Sequence, residues 1–245
     1  MRSISNVFND PLFYQPFCGG LLLHTAAYYL LTNIFPNRFA SPKSKAWIIT
    51  LISSTIMTFT SIPFVTSFSH QHLSSFDLSD GPLPISLSSY FISYLFSDLF
   101  IGCLHYKSLI HPLSGWFHHI LYTFVVFFLI QNRVSGIFCI FGALELPTMI
   151  MSIGAIHPPL RADKIFGASF FITRILFHLY ISYRMFEELQ GLYYLIAAGI
   201  FPLHAVWFRG WIKQQIRLKT TREINVTVDT SSANDLKDKS LKKQA

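Results

Sequence analysis

Charge is what this 245-residue chain has least of: Asp, Glu, Lys and Arg make up 13% of it and only 12 residues are acidic. That is about half the charged share of an ordinary soluble domain, too little to solvate the surface of one. Cysteine is scarce as well. Cys18, Cys103 and Cys139 all fall inside apolar runs, which excludes a disulfide scaffold. Residues 1 to 16 hold one Arg and one Asp, and no small-x-small site follows the first apolar run, so no cleavable signal peptide is expected and that run reads as a retained helix. What is abundant is apolar: 51% of the residues are hydrophobic, 25 of them Phe, gathered in long runs that exclude disorder over most of the length. The expected fold class is all-α, a polytopic membrane protein.

An α-helix rises about 1.5 Å per residue and the hydrocarbon layer is roughly 30 Å thick, so a spanning helix needs about 20 mostly apolar residues. Seven stretches meet this: Phe17 to Phe35, Ala46 to Phe68, Ile85 to Leu104, Pro112 to Gln131, Val134 to Gly154, Ile165 to Tyr183 and Gln190 to Phe208. Lys and Arg in short loops resist translocation and mark the cytosolic side. One side carries Arg38, Lys43, Lys45, Lys107, Arg161 and Lys164, with Arg209, Lys213, Arg217, Lys219 and Arg222 after the last helix, whereas the other carries only Arg2, Arg133 and Arg184. Seven spans with this bias put the amino terminus in the lumen or exterior and the carboxyl terminus in the cytosol.

The polar residues 213 to 245 read as a disordered basic tail. Asn225-Val226-Thr227 has the form of a glycosylation acceptor, but a cytosolic tail never meets the transferase. The closing Lys242-Lys243-Gln244-Ala245 resembles the dilysine retrieval signal of endoplasmic-reticulum membrane proteins, an address read by the COPI coat. This points to a multi-pass protein of that membrane. Most of the net charge of +7 sits in the tail and suits anionic lipid headgroups; no nucleic-acid partner is indicated.

Within the spans lie Asp98, Glu145, Arg174 and the histidines His24, His118, His119, His178 and His204. A charge at a helix centre costs roughly 2.5–3.5 kcal/mol on insertion scales, so these groups must be paired, neutralised or wet. Glu145 and Arg174 fall near the midplane on consecutive antiparallel helices and are expected to pair, with Pro147 kinking the helix beside the carboxylate. Asp98 lies at about the depth of His118 and His119 on the next antiparallel helix, where a carboxylate would raise an imidazole's basicity and fix its tautomer. His105 follows Asp98 by two turns on the same face, at the cytosolic mouth. His24, His178 and His204 are expected to serve as hydrogen-bonding residues between helices, and His70, His72, His111 and His157 as loop residues without a functional part. No ligand spacing demands a metal and no bound cofactor is expected.

The segments Ser89-Tyr90-Phe91, Phe96-Ser97-Asp98, Trp116-Phe117-His118-His119, Leu144-Glu145-Leu146-Pro147-Thr148 and Phe170-Phe171-Ile172-Thr173-Arg174-Ile175 together resemble the TLC domain. That domain is shared by ceramide synthases, translocon-associated membrane proteins and less characterised TLC-domain proteins. The resemblance covers residues 41 to 212, after a lumenal start and first helix in residues 1 to 40. It implies a ring of six helices, the second to the seventh, around a cavity that opens toward the cytosol and accepts an acyl chain. In ceramide synthases the tandem histidine is catalytic, and His118 and His119 match it, with Asp98 matching the general TLC pattern. The extended acidic motif of ceramide synthases is not here, since Glu145 is the only acid in the helix after His119. The chain therefore looks closer to the less characterised TLC-domain proteins.

The function implied is lipid handling in the endoplasmic reticulum, the protein holding an acyl chain or sphingolipid and contributing to membrane lipid homeostasis. An alternative is a ceramide-synthase-like N-acyltransferase, moving an acyl group from acyl-CoA as co-substrate to a sphingoid base, with His118 or His119 as base or nucleophile. A third reading is a structural or translocon-associated protein whose polar residues only hold the bundle together.

Overall fold

The computed structural model describes residues 1–70, 81–189 and 192–242. The protein is an all-α polytopic membrane protein: 88% of it is helical and no strand occurs among the described residues. The elements are α1 (Ile4–Phe8), α2 (Pro11–Ile34), α3 (Pro42–Lys45), α4 (Ile48–His70), α5 (Pro82–His105), α6 (His118–Gln131), α7 (Ser135–Phe141), α8 (Leu146–Ile156), α9 (Asp163–Phe170), α10 (His178–Glu188) and α11 (Leu192–Lys242). Short irregular helical turns join some of these into longer rods: a π-helical turn at Pro112–Phe117 leads into α6, a 3-10 turn at Gly142–Glu145 joins α7 to α8, and a π-helical turn at Phe171–Phe177 joins α9 to α10.

Six helices among the described residues are long and apolar enough to cross a membrane: Pro42–Ser69, Pro82–His105, Pro112–Gln131, Ser135–Ile156, Asp163–Glu188 and Leu192–Thr221. The first expected span, Phe17 to Phe35, corresponds to α2, which is long enough at 24 residues but falls short in apolarity. Gln15, His24, Thr25, Thr32 and Asn33 dilute it. Its placement nevertheless follows a spanning helix. The Phe13 carbonyl accepts a hydrogen bond from Ser89, the Phe17 ring lies 6.0 Å from that of Phe96, and the Tyr29 hydroxyl and His105 Nε2 are 2.9 Å apart. Both sequences rise together, so α2 runs parallel to α5 along most of its length.

The helix α5 is the packing centre of the unit Met1–Phe201. It touches α2, α4, α6 and α7, and 67% of its apolar window is buried against 22% for the span Pro112–Gln131. Hydrocarbon gives helices no hydrophobic reason to associate, so small residues that admit close backbones carry this packing. Ser88, Ser89, Ser93 and Ser97 supply them on α5, and Gly20 of α2 comes so close that an added Cβ would stand 2.0 Å from Ser93 Oγ. Some hydroxyls turn back onto their own helices, as Ser93 does to the Tyr90 carbonyl at 2.6 Å and Ser54 to the Thr50 carbonyl at 2.7 Å, which satisfies these without water, whereas Ser89 crosses to the Phe13 carbonyl of α2.

A second compact unit begins at Pro202, inside α11. There the structure departs from the expected disordered tail: the backbone is helical to Lys242. No Gly follows Gly210 and no Pro follows Pro202, so the two residue types that most strongly break a helix are missing from the rest of it. Lys243 of the dilysine pair and His72 lie outside the described residues.

Candidate functional site

Three residues four apart, Tyr90, Tyr94 and Asp98, line one face of α5. At its far end Asp98 Oδ2 stands 3.0 Å from His119 Nε2, the two side chains 16% and 7% exposed. The antiparallel turn from α5 into α6 makes this contact, as the matched depths predict. The other carboxylate oxygen, Oδ1, accepts from the Tyr106 hydroxyl at 3.2 Å. Tyr106 closes α5 with its backbone N–H on the Gly102 carbonyl and is itself buried. Burial first, and the charge of Asp98 after it, push the Tyr106 phenol up, so it stays a proton donor.

The π-helical turn explains how His119 is held. Its wider winding, in which the Trp116 N–H bonds the His111 carbonyl, leads to a Gly115 carbonyl that accepts from His119 Nδ1 at 2.8 Å. That bond places a proton on Nδ1. Nε2 then faces the Asp98 carboxylate in a 3.0 Å contact. Its alignment falls short of a directional hydrogen bond, which makes it a close charge pair. Placed against each other, the two groups offset part of what each costs in a spanning helix pair. Nδ1 is engaged by the Gly115 carbonyl, while Nε2 has the Asp98 carboxylate beside it and no directional hydrogen bond.

His118 does not face Asp98. Its ring is 4.2 Å from Tyr122 and 5.5 Å from His119. The Tyr94 ring lies 5.9 Å from that of His119.

The expected pairing of Glu145 with Arg174 is present, but it is longer than two other hydrogen bonds of the guanidinium. Arg174 Nε donates to the Leu144 carbonyl at 2.7 Å and one terminal nitrogen donates to Thr148 Oγ1 at 2.7 Å, whereas Glu145 Oε1 is 3.5 Å away. The guanidinium also lies over the Phe170 ring. Both partners sit at helix irregularities. The 3-10 turn ends at Glu145, where Pro147 has no N–H to offer Ala143, and Arg174 is in the middle of the second π-helical turn.

His105, the last residue of α5, packs against α2: it bonds Tyr29 and lies 5.1 Å, ring to ring, from Tyr28. The next residue, Tyr106, is the one that bonds Asp98. His24 bonds Tyr90 at 3.1 Å, joining α2 to α5, and His178 bonds the Ala197 carbonyl at 3.0 Å, joining α10 to α11, in the helix-linking part expected of both. Tyr106, Tyr94 and Thr148 are the contributors that sequence reasoning passed over. No group of three His, Cys, Asp or Glu side chains among the described residues is arranged to hold a metal ion.

With the geometry in hand, comparison with known proteins adds no assignment: the chain matches no protein-family model, no curated protein and no solved structure.

Proposed function

We propose that this is a lipid-handling membrane protein of the endoplasmic reticulum, of TLC type, that holds an acyl-chain lipid or sphingoid base beside the Asp98–His119 pair and contributes to membrane lipid homeostasis. The observation that carries the reading is a carboxylate and an imidazole in close contact between two spanning helices, with the Tyr106 phenol, just past the end of α5, bonded to the carboxylate. Such groups cost too much in hydrocarbon to be kept for packing, which Ser and Gly accomplish elsewhere on the same helix. A lipid's polar head can exchange hydrogen bonds with the cluster while its chains remain in apolar surroundings. The amino terminus is lumenal and the carboxyl terminus cytosolic in this reading, with Lys242 and Lys243 as the retrieval address.

The test is mass spectrometry of lipid that co-purifies with the full chain, comparing wild type with Asp98→Asn and His119→Ala. A sphingolipid or long-chain species retained by wild type and lost from both variants supports the reading. Identical lipid from all three proteins removes it.

One observation favours a second reading, an acyl-CoA-dependent N-acyltransferase: a second imidazole, His118, adjoins the Asp98–His119 pair. In that reaction the sphingoid amine attacks the thioester carbonyl, the C–N bond forms, the C–S bond breaks, and the amine proton passes through imidazole to the departing coenzyme A thiolate. His118 would be the acting base, with His119 positioned by Asp98. Release of free coenzyme A by purified protein, abolished in His118→Ala, separates this reading from lipid holding alone.

A further inference from the structure

At the end of the unit Met1–Phe201 where α2 begins and α6 finishes, an open cleft of about 300 Å³ is lined by Arg2, Asn6, Asn9, Asp10, Pro11 and Arg133. It is built from both sides. The Arg2 backbone N–H bonds the Gln131 carbonyl at 2.6 Å, tying the start of the chain to the end of α6, and Arg133 follows in the left-handed region at φ 62°, in the turn to α7. Asp10 is used on both oxygens: Oδ1 accepts from the Leu12 N–H at 2.9 Å and Oδ2 pairs with Arg2 at 2.8 Å.

The charge therefore does not balance. Two guanidiniums and one carboxylate leave the cleft with one positive charge in excess. Arg133 carries it: the residue is exposed and has no ion pair or side-chain hydrogen bond among the described residues. By contrast Arg184, at the same end, is fully engaged, with Glu188 at 2.5 Å and the Phe68 ring beneath it. Asn6 and Asn9 add amide donors at the rim.

The surroundings fix the depth. In a chain whose helices span a bilayer, the ends of α2 and α6 lie where lipid headgroups lie. The short α1 beside the cleft leaves Ile4 and Phe8 59% and 53% exposed, an apolar face suited to the headgroup–acyl boundary. Phe13, just inside α2, meets Ser89, nine residues or about 14 Å before Asp98 along α5, and the cleft lies on the far side of that contact, so it is separate from the site described above.

We propose that the cleft binds the phosphodiester of a phospholipid whose headgroup has net negative charge, with the Arg133 fork on the phosphate oxygens, Arg2 reinforcing it, and Asn6 and Asn9 toward the headgroup hydroxyls. The excess of one positive charge selects an anionic headgroup over phosphocholine, whose ammonium would find Asp10 already committed to Arg2.

The experiment reconstitutes the full chain in nanodiscs of phosphatidylcholine alone or phosphatidylcholine doped with phosphatidylinositol, and reads retained lipid by native mass spectrometry. Wild type retains phosphatidylinositol in excess of its bulk share, and Arg133→Gln lowers that excess about fivefold. Arg133→Gly gives the same loss while removing the backbone strain at this position, which guards against misfolding as the cause. Lys164→Gln, an equal loss of charge at the other end of the bundle, leaves retention unchanged. A third arm adds inorganic phosphate to detergent-solubilised protein. Thermal stabilisation by phosphate with no lipid enrichment means a soluble phosphoester is the ligand and overturns the lipid proposal. Absence of enrichment in wild type, or enrichment indifferent to both Arg133 variants, overturns it also.

Discussion

Asp98 and His119 form one unit across the turn from α5 to α6: a 3.0 Å contact between Oδ2 and Nε2, with the remaining oxygen on Tyr106 and the remaining nitrogen on Gly115. The two residues should therefore behave non-additively. His119→Ala leaves the carboxylate without its counter-charge, a loss of about 3–5 kcal/mol for a buried pair broken on one side, and lowers the folded yield sharply. Asp98→Asn leaves two neutral groups and should leave the yield near wild type. The Asp98→Asn, His119→Ala double variant should recover yield relative to His119→Ala alone, yet retain roughly tenfold less lipid than wild type. Yield is read by size-exclusion chromatography in detergent. Strictly additive effects on stability would show that the pair is not coupled.

Tyr106 gives the cluster a pH signature. Burial and Asp98 raise its phenol above the ordinary value of 10.0, so the folded protein holds this proton more tightly than the unfolded chain. The sign follows from linkage: the contribution is complete below about pH 10 and is lost as the pH rises through the folded value, where the unfolded chain ionises first. Tyr106→Phe should flatten the alkaline limb of a stability–pH curve measured by thermal unfolding. At neutral pH the same variant should lower stability by about 1.5 kcal/mol, the low end for a bond to a carboxylate because the contact is 3.2 Å long. Parallel curves for the two proteins above pH 10 would remove Tyr106 from the cluster.

Some of this site is legible from composition and spacing and some is not, for physical reasons. Asp98 meets His119 because two helices joined by a short turn have to run antiparallel, so matched depth alone brings the residues level. Which of two adjacent histidines faces the acid depends on the rotation of α6. The π-helical turn at Pro112–Phe117 sets that rotation, and a 3.6-residue pattern does not reveal it. Tyr106 was missed because it stands one residue past the helix, in sequence terms a loop residue. Thr148 was missed because a search for charge partners overlooks hydroxyls and carbonyls, which supply the shorter bonds to Arg174. The first helix shows the converse: its polar residues weaken it as an apolar span, yet His24 and Tyr29 are what bind it to α5.

Arg174 offers a separate test of what holds α8 against the second π-helical turn. Its bonds to the Leu144 carbonyl and Thr148 are both 2.7 Å, and Glu145 at 3.5 Å is the weaker partner. Arg174→Gln should therefore cost several times more stability than Glu145→Gln. Arg174→Lys should not rescue it, because one ammonium cannot reach a carbonyl, a hydroxyl and a carboxylate in the fixed fork that the guanidinium provides. Detergent thermal unfolding ranks the three variants. A Glu145→Gln loss equal to that of Arg174→Gln would mean that the ion pair, rather than the two short bonds, carries the junction.

The parallel packing of α2 on α5 rests on close approach at Gly20, where a Cβ would meet Ser93 Oγ at 2.0 Å, Ser93 Cβ at 3.1 Å and Tyr90 at 3.2 Å. A hydroxyl can rotate away, but the other two neighbours are fixed by α5 itself. Gly20→Ala should then destabilise by about 1–3 kcal/mol through overpacking, and Gly20→Val by more. Ser93→Ala combined with Gly20→Ala removes the nearest atom and should recover part of the loss, whereas Gly19→Ala, with open space around it, should cost little. If α2 crosses the bilayer beside α5, a cysteine-labelling reagent applied from one side should reach positions at the starts of both helices together. Opposite accessibility of those two starts would show that α2 does not share the direction of α5, and the seven-span topology would fall with it.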